Sequence, residues 1–118
     1  MSLDSVLLEK SMAFAVRVVK LYQYLERNKK EYVLSKQVLR SGTSIGANVR
    51  EGVYGQSGND FTTKMSIALK ETVETEYWLD LLSRTGYLSE KQYGDIREDV
   101  SEIAKMLTAT VKCMRKKA

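Results

Sequence analysis

Between Tyr93 and Met114, apolar or small side chains return every three or four positions: Tyr93, Ile96, Val100, Ile103, Leu107, Thr110 and Met114. A strand would alternate every second residue, whereas this interval marks one face of an α-helix, and at this length it describes the seam of a helical bundle. No proline occurs in the 118 residues, so the strongest helix breaker is absent throughout. With 43% hydrophobic and 29% charged residues, the chain reads as all-α and globular rather than disordered. The length suits a single domain over residues 1–118, with one core and little to spare.

Three earlier segments carry the same spacing. In the first, Leu7, Phe14, Val18, Leu21 and Leu25 form a stripe, and Leu8, Met12, Ala15, Val16, Val19 and Tyr22 widen it. The widened stripe exceeds the third of the circumference that one core contact occupies, so this helix has two surfaces to cover. It should end near Glu26 to Lys30, with Asn28 as a left-handed cap. The second segment is expected to start at Ser35 as N-cap, with Leu34 and Leu39 as a hydrophobic staple. The third follows Gly55 and Gly58, is capped by Ser57 or Asn59, and buries Phe61, Met65, Ala68, Thr72, Leu79 and Leu82 before Gly86 closes it. The fourth opens on a capping box of Ser89 and Gln92, with Leu88 stapled to Tyr93. Short connections make neighbours antiparallel, which predicts an up-down four-helix bundle.

The second segment contains RSGTSIGANVREG, Arg40 to Gly52, which is small and polar enough to suggest a loop. At 100° per residue, however, Val38, Gly42, Ile45 and Val49 share one face, and Gln37, Ser41, Ser44, Asn48 and Glu51 share another. Two ordered stripes indicate a helix. Gly42 and Gly46 each cost about 1 kcal/mol relative to alanine in a helix interior, and close approach of another backbone would offset that cost. The polar stripe has amides, hydroxyls and a carboxylate where a solvent face would show Lys and Glu pairs, so it is expected to lie against another surface.

The run QVLRSGTSIGANVREG, followed by DFTTKMSIALKETVETEYWLDLL, resembles the family of small four-helix-bundle proteins encoded in intervening sequences of bacterial large-subunit ribosomal RNA genes. The likeness rests on Gln37, Arg40, Ser44, Ile45, Asn48, Glu51 and Gly52, and runs over nearly the whole chain. At Gln56 the chain departs from the arginine common in that pattern. The resemblance implies a homopentamer. It also implies kinship with the accessory protein of diversity-generating retroelements, a basic pentamer that binds nucleic acid and a reverse transcriptase. As an oligomer interface or structural motif, the resemblance and the stripes together single out Gln37, Arg40, Ser41, Ser44, Gly46, Asn48, Glu51 and Gly52. Asn48 is expected to bond across a close helix contact, and Glu51 to accept hydrogen bonds or pair with an arginine.

Little in the chain suggests chemistry. There is no histidine, which removes the usual zinc clusters and nucleophile–histidine pairs, and Cys113 alone forms no intrachain disulfide. Cys113 is expected to be a small, partly buried residue of the last helix. Glu71, Glu74, Glu76 and Asp80 could be imagined as a carboxylate metal site, but di-iron bundles add a Glu-x-x-His motif that is missing here. Glu74 reads instead as a partner for Arg40 or Arg50, Glu76 as a carboxylate needing a partner near the apolar face, and Tyr77 and Trp78 as packing or interface anchors. No enzyme activity, cofactor or metal is therefore expected. The net charge is +4, with basic ends and an acidic third quarter. Lys112, Arg115, Lys116 and Lys117 could contact nucleic-acid phosphates, or simply complement the negative end of a helix dipole. No apolar run approaches the roughly 18 residues of a membrane span and no signal pattern opens the chain, so a cytoplasmic location is expected. The leading expectation is a non-enzymatic homo-oligomeric scaffold or adaptor. The alternative is an oligomeric accessory protein that binds RNA or DNA without sequence preference.

Overall fold

The computed structural model describes residues 2–117. Four helices follow one another: α1 (Leu3–Lys29), α2 (Leu34–Val53), α3 (Gly58–Arg84) and α4 (Glu90–Lys117). Each packs on its sequence neighbour and α4 also returns to α1, giving the antiparallel up-down bundle in which α1 and α3 lie on one diagonal. The core is built from the predicted stripes: Leu7, Phe14, Val18 and Leu25 of α1, Val38, Ile45 and Val49 of α2, Met65, Ala68, Leu79 and Leu82 of α3, and Ile96, Val100, Ile103 and Leu107 of α4. Thr75 fills the gap left between Thr72 and Leu79 and is fully buried. Toward the end of α4, Val111 is buried while Met114 is only partly covered.

Three local expectations are corrected. The left-handed residue after α1 is Lys30, at φ 54°, not Asn28, which remains helical. Glu31 follows it and caps α2 in place of Ser35. Its carboxylate accepts hydrogen bonds from the N–H groups of Val33, Leu34 and Ser35 at 3.1, 3.0 and 2.7 Å. Ser35 instead sits in the first turn of α2 and donates its hydroxyl to the Glu31 carbonyl at 3.0 Å. Burial pushes the Glu31 carboxyl up, but the N–H donors of Leu34, Ser35 and Val33 together with the Ser35 side chain outweigh it, and the group is held below the ordinary glutamate value. Cys113, finally, is exposed, because it lies about 120° around α4 from Leu107. The other caps follow the sequence. Ser57 Oγ accepts from Asp60 N–H at 3.1 Å, and Ser89 and Gln92 bond reciprocally at 2.9 and 3.1 Å.

Two of the three α2 glycines, Gly42 and Gly46, meet α1. A Cβ at Gly42 would stand 2.7 and 2.9 Å from the Val18 methyls, and one at Gly46 would stand 3.3 Å from the Ser11 carbonyl oxygen. This close approach is the gain that offsets the helical cost of both glycines. The opposite flank of α1 is looser. It meets α4 through half-exposed ion pairs, Lys10 with Glu102 at 2.7 Å and Arg17 with Asp99, of a kind that adds little stability.

Candidate functional site

The polar stripe of α2 faces α3. Ser41 is fully buried there and accepts a hydrogen bond from Thr75 Oγ1 at 2.9 Å. One end of the seam is closed by Gly52, where an added Cβ would stand 3.0 Å from both Lys64 Cβ and Met65 Cε. Arg40 reaches over the seam to Glu74 and, at 3.6 Å, to Glu71, while Trp78 Nε1 donates to Glu74 at 2.9 Å. Gln37 lies 3.5 Å from Arg40 on the same helix. Two carboxylates thus share one guanidinium, and Glu71 Oε2 is buried without a hydrogen-bond partner. Glu51, at the exposed edge, pairs with Lys64 at 2.9 Å rather than with an arginine.

Ser44 and Asn48 turn inward on their own helix. Ser44 Oγ donates to the Arg40 carbonyl at 2.7 Å, and Asn48 Nδ2 donates to the Ser44 carbonyl at 2.8 Å. Asn48 therefore makes no bond across to α3, contrary to the expectation from its sequence context. Substituting it with leucine removes one bond to a carbonyl that the helix already engages. The expected loss in a denaturation measurement on the folded chain is no more than about 1 kcal/mol. A larger loss would reveal a partner beyond the Ser44 carbonyl.

The acidic residues of α3 are divided between two arginines. On the α4 side, Arg97 contacts Glu76 and Asp80, the latter at 3.1 Å, and also donates to Ser101 Oγ at 2.6 Å. Tyr93 adds a hydroxyl donor to Asp80 at 2.7 Å. Burial lowers the Arg97 pKa, but its hydrogen bonds and charge interactions with Glu76 and Asp80 outweigh this, so the guanidinium is held above its ordinary value. Among the described residues no group of three or more His, Cys, Asp or Glu is placed to hold a metal ion.

The surface carries two apolar faces. On α1, Met12, Val16 and Val19 are 49%, 47% and 38% exposed. Met12 also lines a groove of ≈ 260 Å³ between α1 and α2, whose walls include Leu8, Ala15, Gly46, Ala47 and Arg50. On α3, Val73 and Tyr77 are 58% and 57% exposed. Tyr77 is braced edge-on against Trp78, with ring centroids 5.0 Å apart. At the C-terminal end of α4, Lys112, Arg115, Lys116 and Lys117 are exposed, and none has a carboxylate within ion-pair distance among the described residues.

Sequence reasoning picked out the α2 half of the seam but missed Thr75 and Lys64 as its α3 partners. It also missed Arg97 as the partner of Glu76. Thr75 could have been found, since it continues the stripe from Thr72 at a three-residue step. Which cation reaches which carboxylate depends on helix register, which spacing within one helix does not specify.

These features define a small all-α protein, a four-helix bundle whose polar motif joins two of its own helices. The chain belongs to the 23S rRNA-intervening sequence protein family, whose model matches residues 4–109. It is similar to the crystal structure of a protein with unknown function from the S23 ribosomal protein family of Bacteroides thetaiotaomicron VPI-5482. Identity is 54%, the match covers 94% of this chain and 99% of that one, and the TM-score is 0.92. No match was found among curated proteins. Neither the family nor that structure is described as an enzyme. Among the described residues no helix is long and apolar enough to cross a membrane.

Proposed function

We propose that the chain acts in the cytoplasm as a non-enzymatic homo-oligomeric scaffold or adaptor, and that the oligomer is a pentamer. The observation that carries this reading is the row of Met12, Val16 and Val19, which the core leaves open to solvent on one side of α1. Contiguous apolar surface of this kind marks an interaction site, and covering it with further copies removes it from water. The number five comes from the family resemblance. Brief lysine cross-linking followed by a denaturing gel tests it. The expected result is a ladder that ends at five chains; a single band of one chain at every cross-linker dose contradicts it.

A second reading, an oligomeric binder of RNA or DNA, is favoured by Lys112, Arg115, Lys116 and Lys117, which are exposed and unpaired among the described residues. Repeated in every subunit, such tails would give an avid surface with little sequence preference. Removing Arg115 to Ala118 is expected to weaken binding to single-stranded RNA at low salt and to flatten its salt dependence. Binding unaltered by that truncation places the contacts elsewhere, and no binding by the intact chain at low salt leaves the scaffold reading alone.

A further inference from the structure

We infer that a single strand of RNA or DNA lies along α4 in its groove with α3, its phosphates on Lys112 and Lys105 as well as on the basic tail. This rests on the nucleic-acid reading above and gives the bound strand a path. Glu102 is the last carboxylate of the sequence: residues 103–118 hold five Lys or Arg and no Asp or Glu. Lys105 is exposed and lies about 10 Å before Lys112 on the same helix. That interval is two helical turns, so the two lysines project from one face, and Arg115 and Lys116 follow within about one further turn. Both lysines line a groove of ≈ 500 Å³ whose α3 wall includes Glu76.

Charge is sorted across α4. Asp95, Asp99 and Glu102 line the clefts on the α1 side, where Asp99 and Glu102 pair with Arg17 and Lys10. On the α3 side, neither Lys105 nor Lys112 has a carboxylate within ion-pair distance among the described residues. At the far end of the groove Arg97 is already committed to Glu76 and Asp80, so the excess positive charge runs from Lys105 to the tail. Cations in line without carboxylates are what a phosphate backbone binds, with release of its counterions. The groove floor includes Ala104 and Ala109, and Thr108 donates to the Ala104 carbonyl of its own helix at 2.7 Å. This stretch therefore offers charge rather than groups that read base edges, and contacts to the backbone alone carry no sequence preference. Packed helices stand about 8–10 Å apart, and a groove that narrow takes one strand rather than a duplex.

The probe is a fluorescently labelled oligo-uridine, titrated with the full chain at several salt concentrations. Lys105→Ala is expected to weaken binding at low salt and to reduce the slope of log affinity against log salt by about 0.7, the share of one phosphate contact on a single strand. Ala109→Glu, which puts a carboxylate at an exposed position of the groove, should weaken binding further. Both changes introduce good helix formers, and circular dichroism checks that the helices persist. Lys91→Ala, exposed at the start of α4, should leave affinity and slope as they are. Binding indifferent to both Lys105→Ala and Ala109→Glu overturns the groove path, whatever the tail contributes. Duplex RNA or poly-glutamate that displaces the probe as readily as unlabelled strand overturns the single-strand assignment. No binding by the intact chain at low salt instead overturns the nucleic-acid reading itself, which keeps the failures distinct.

Discussion

Replacing Gly42 with leucine is expected to lower the stability of the folded chain by about 3 kcal/mol, the upper end for overpacking a core. Even the first added carbon, Cβ, would stand 2.7 Å from a methyl of Val18, a β-branched side chain that is itself fully buried. Val18 cannot swing aside, because one χ1 rotamer dominates for valine in a helix. Relief requires α1 and α2 to move apart, which also opens the Gly46–Ser11 contact about one turn further along α2 on the same seam. For a domain of this size the melting temperature should fall by roughly 10 °C. Gly94→Ala is the control. Gly94 lies inside α4 with nothing within 4 Å of an added Cβ, so alanine should stabilise by up to about 1 kcal/mol through helix propensity. Equal melting of Gly42→Leu and the unaltered chain would show that the helices are not held as close as described.

Glu31→Ala is expected to cost about 2 to 3 kcal/mol at neutral pH, since it strands backbone donors that a charged acceptor now satisfies. Its pH dependence has a definite sign. The folded-state pKa is depressed, so the contribution is fully present above the unfolded value of about 4.3 and is lost as pH falls through the lower folded value. The stability gap between the unaltered chain and Glu31→Ala should therefore narrow on acidification below that range. A gap independent of pH would mean that the carboxylate charge does not hold the start of α2.

The fold was legible because its determinants are local and periodic. Three- and four-residue spacing located all four helices, and the Ser89–Gln92 box lies within one turn. The cap of α2 was hidden because Glu31 belongs to the linker and acts over a turn that only the left-handed Lys30 creates. Ser35, a favoured cap type, was the natural choice from residue preference alone. In the motif, the glycines and Ser41 announced close packing, but sequence could not say which neighbour they meet. The structure places Gly42 and Gly46 against α1, and Ser41 and Gly52 against α3. Asn48 shows the limit of reading side-chain chemistry without register. An amide on a semi-buried stripe suggests a bond across helices, yet its donor goes back to the Ser44 carbonyl of its own helix.

The width of the α1 stripe was equally legible, and it carries the functional account. Leu7, Phe14, Val18 and Leu25 enter the core, while Met12, Val16 and Val19 stay outside it. The mass of the unaltered protein at micromolar concentration, measured by light scattering behind a sizing column, tests that account most directly. The account predicts a single species with the mass of several chains, five if the family assembly holds. A species with the mass of one chain, unchanged as concentration rises, would contradict it.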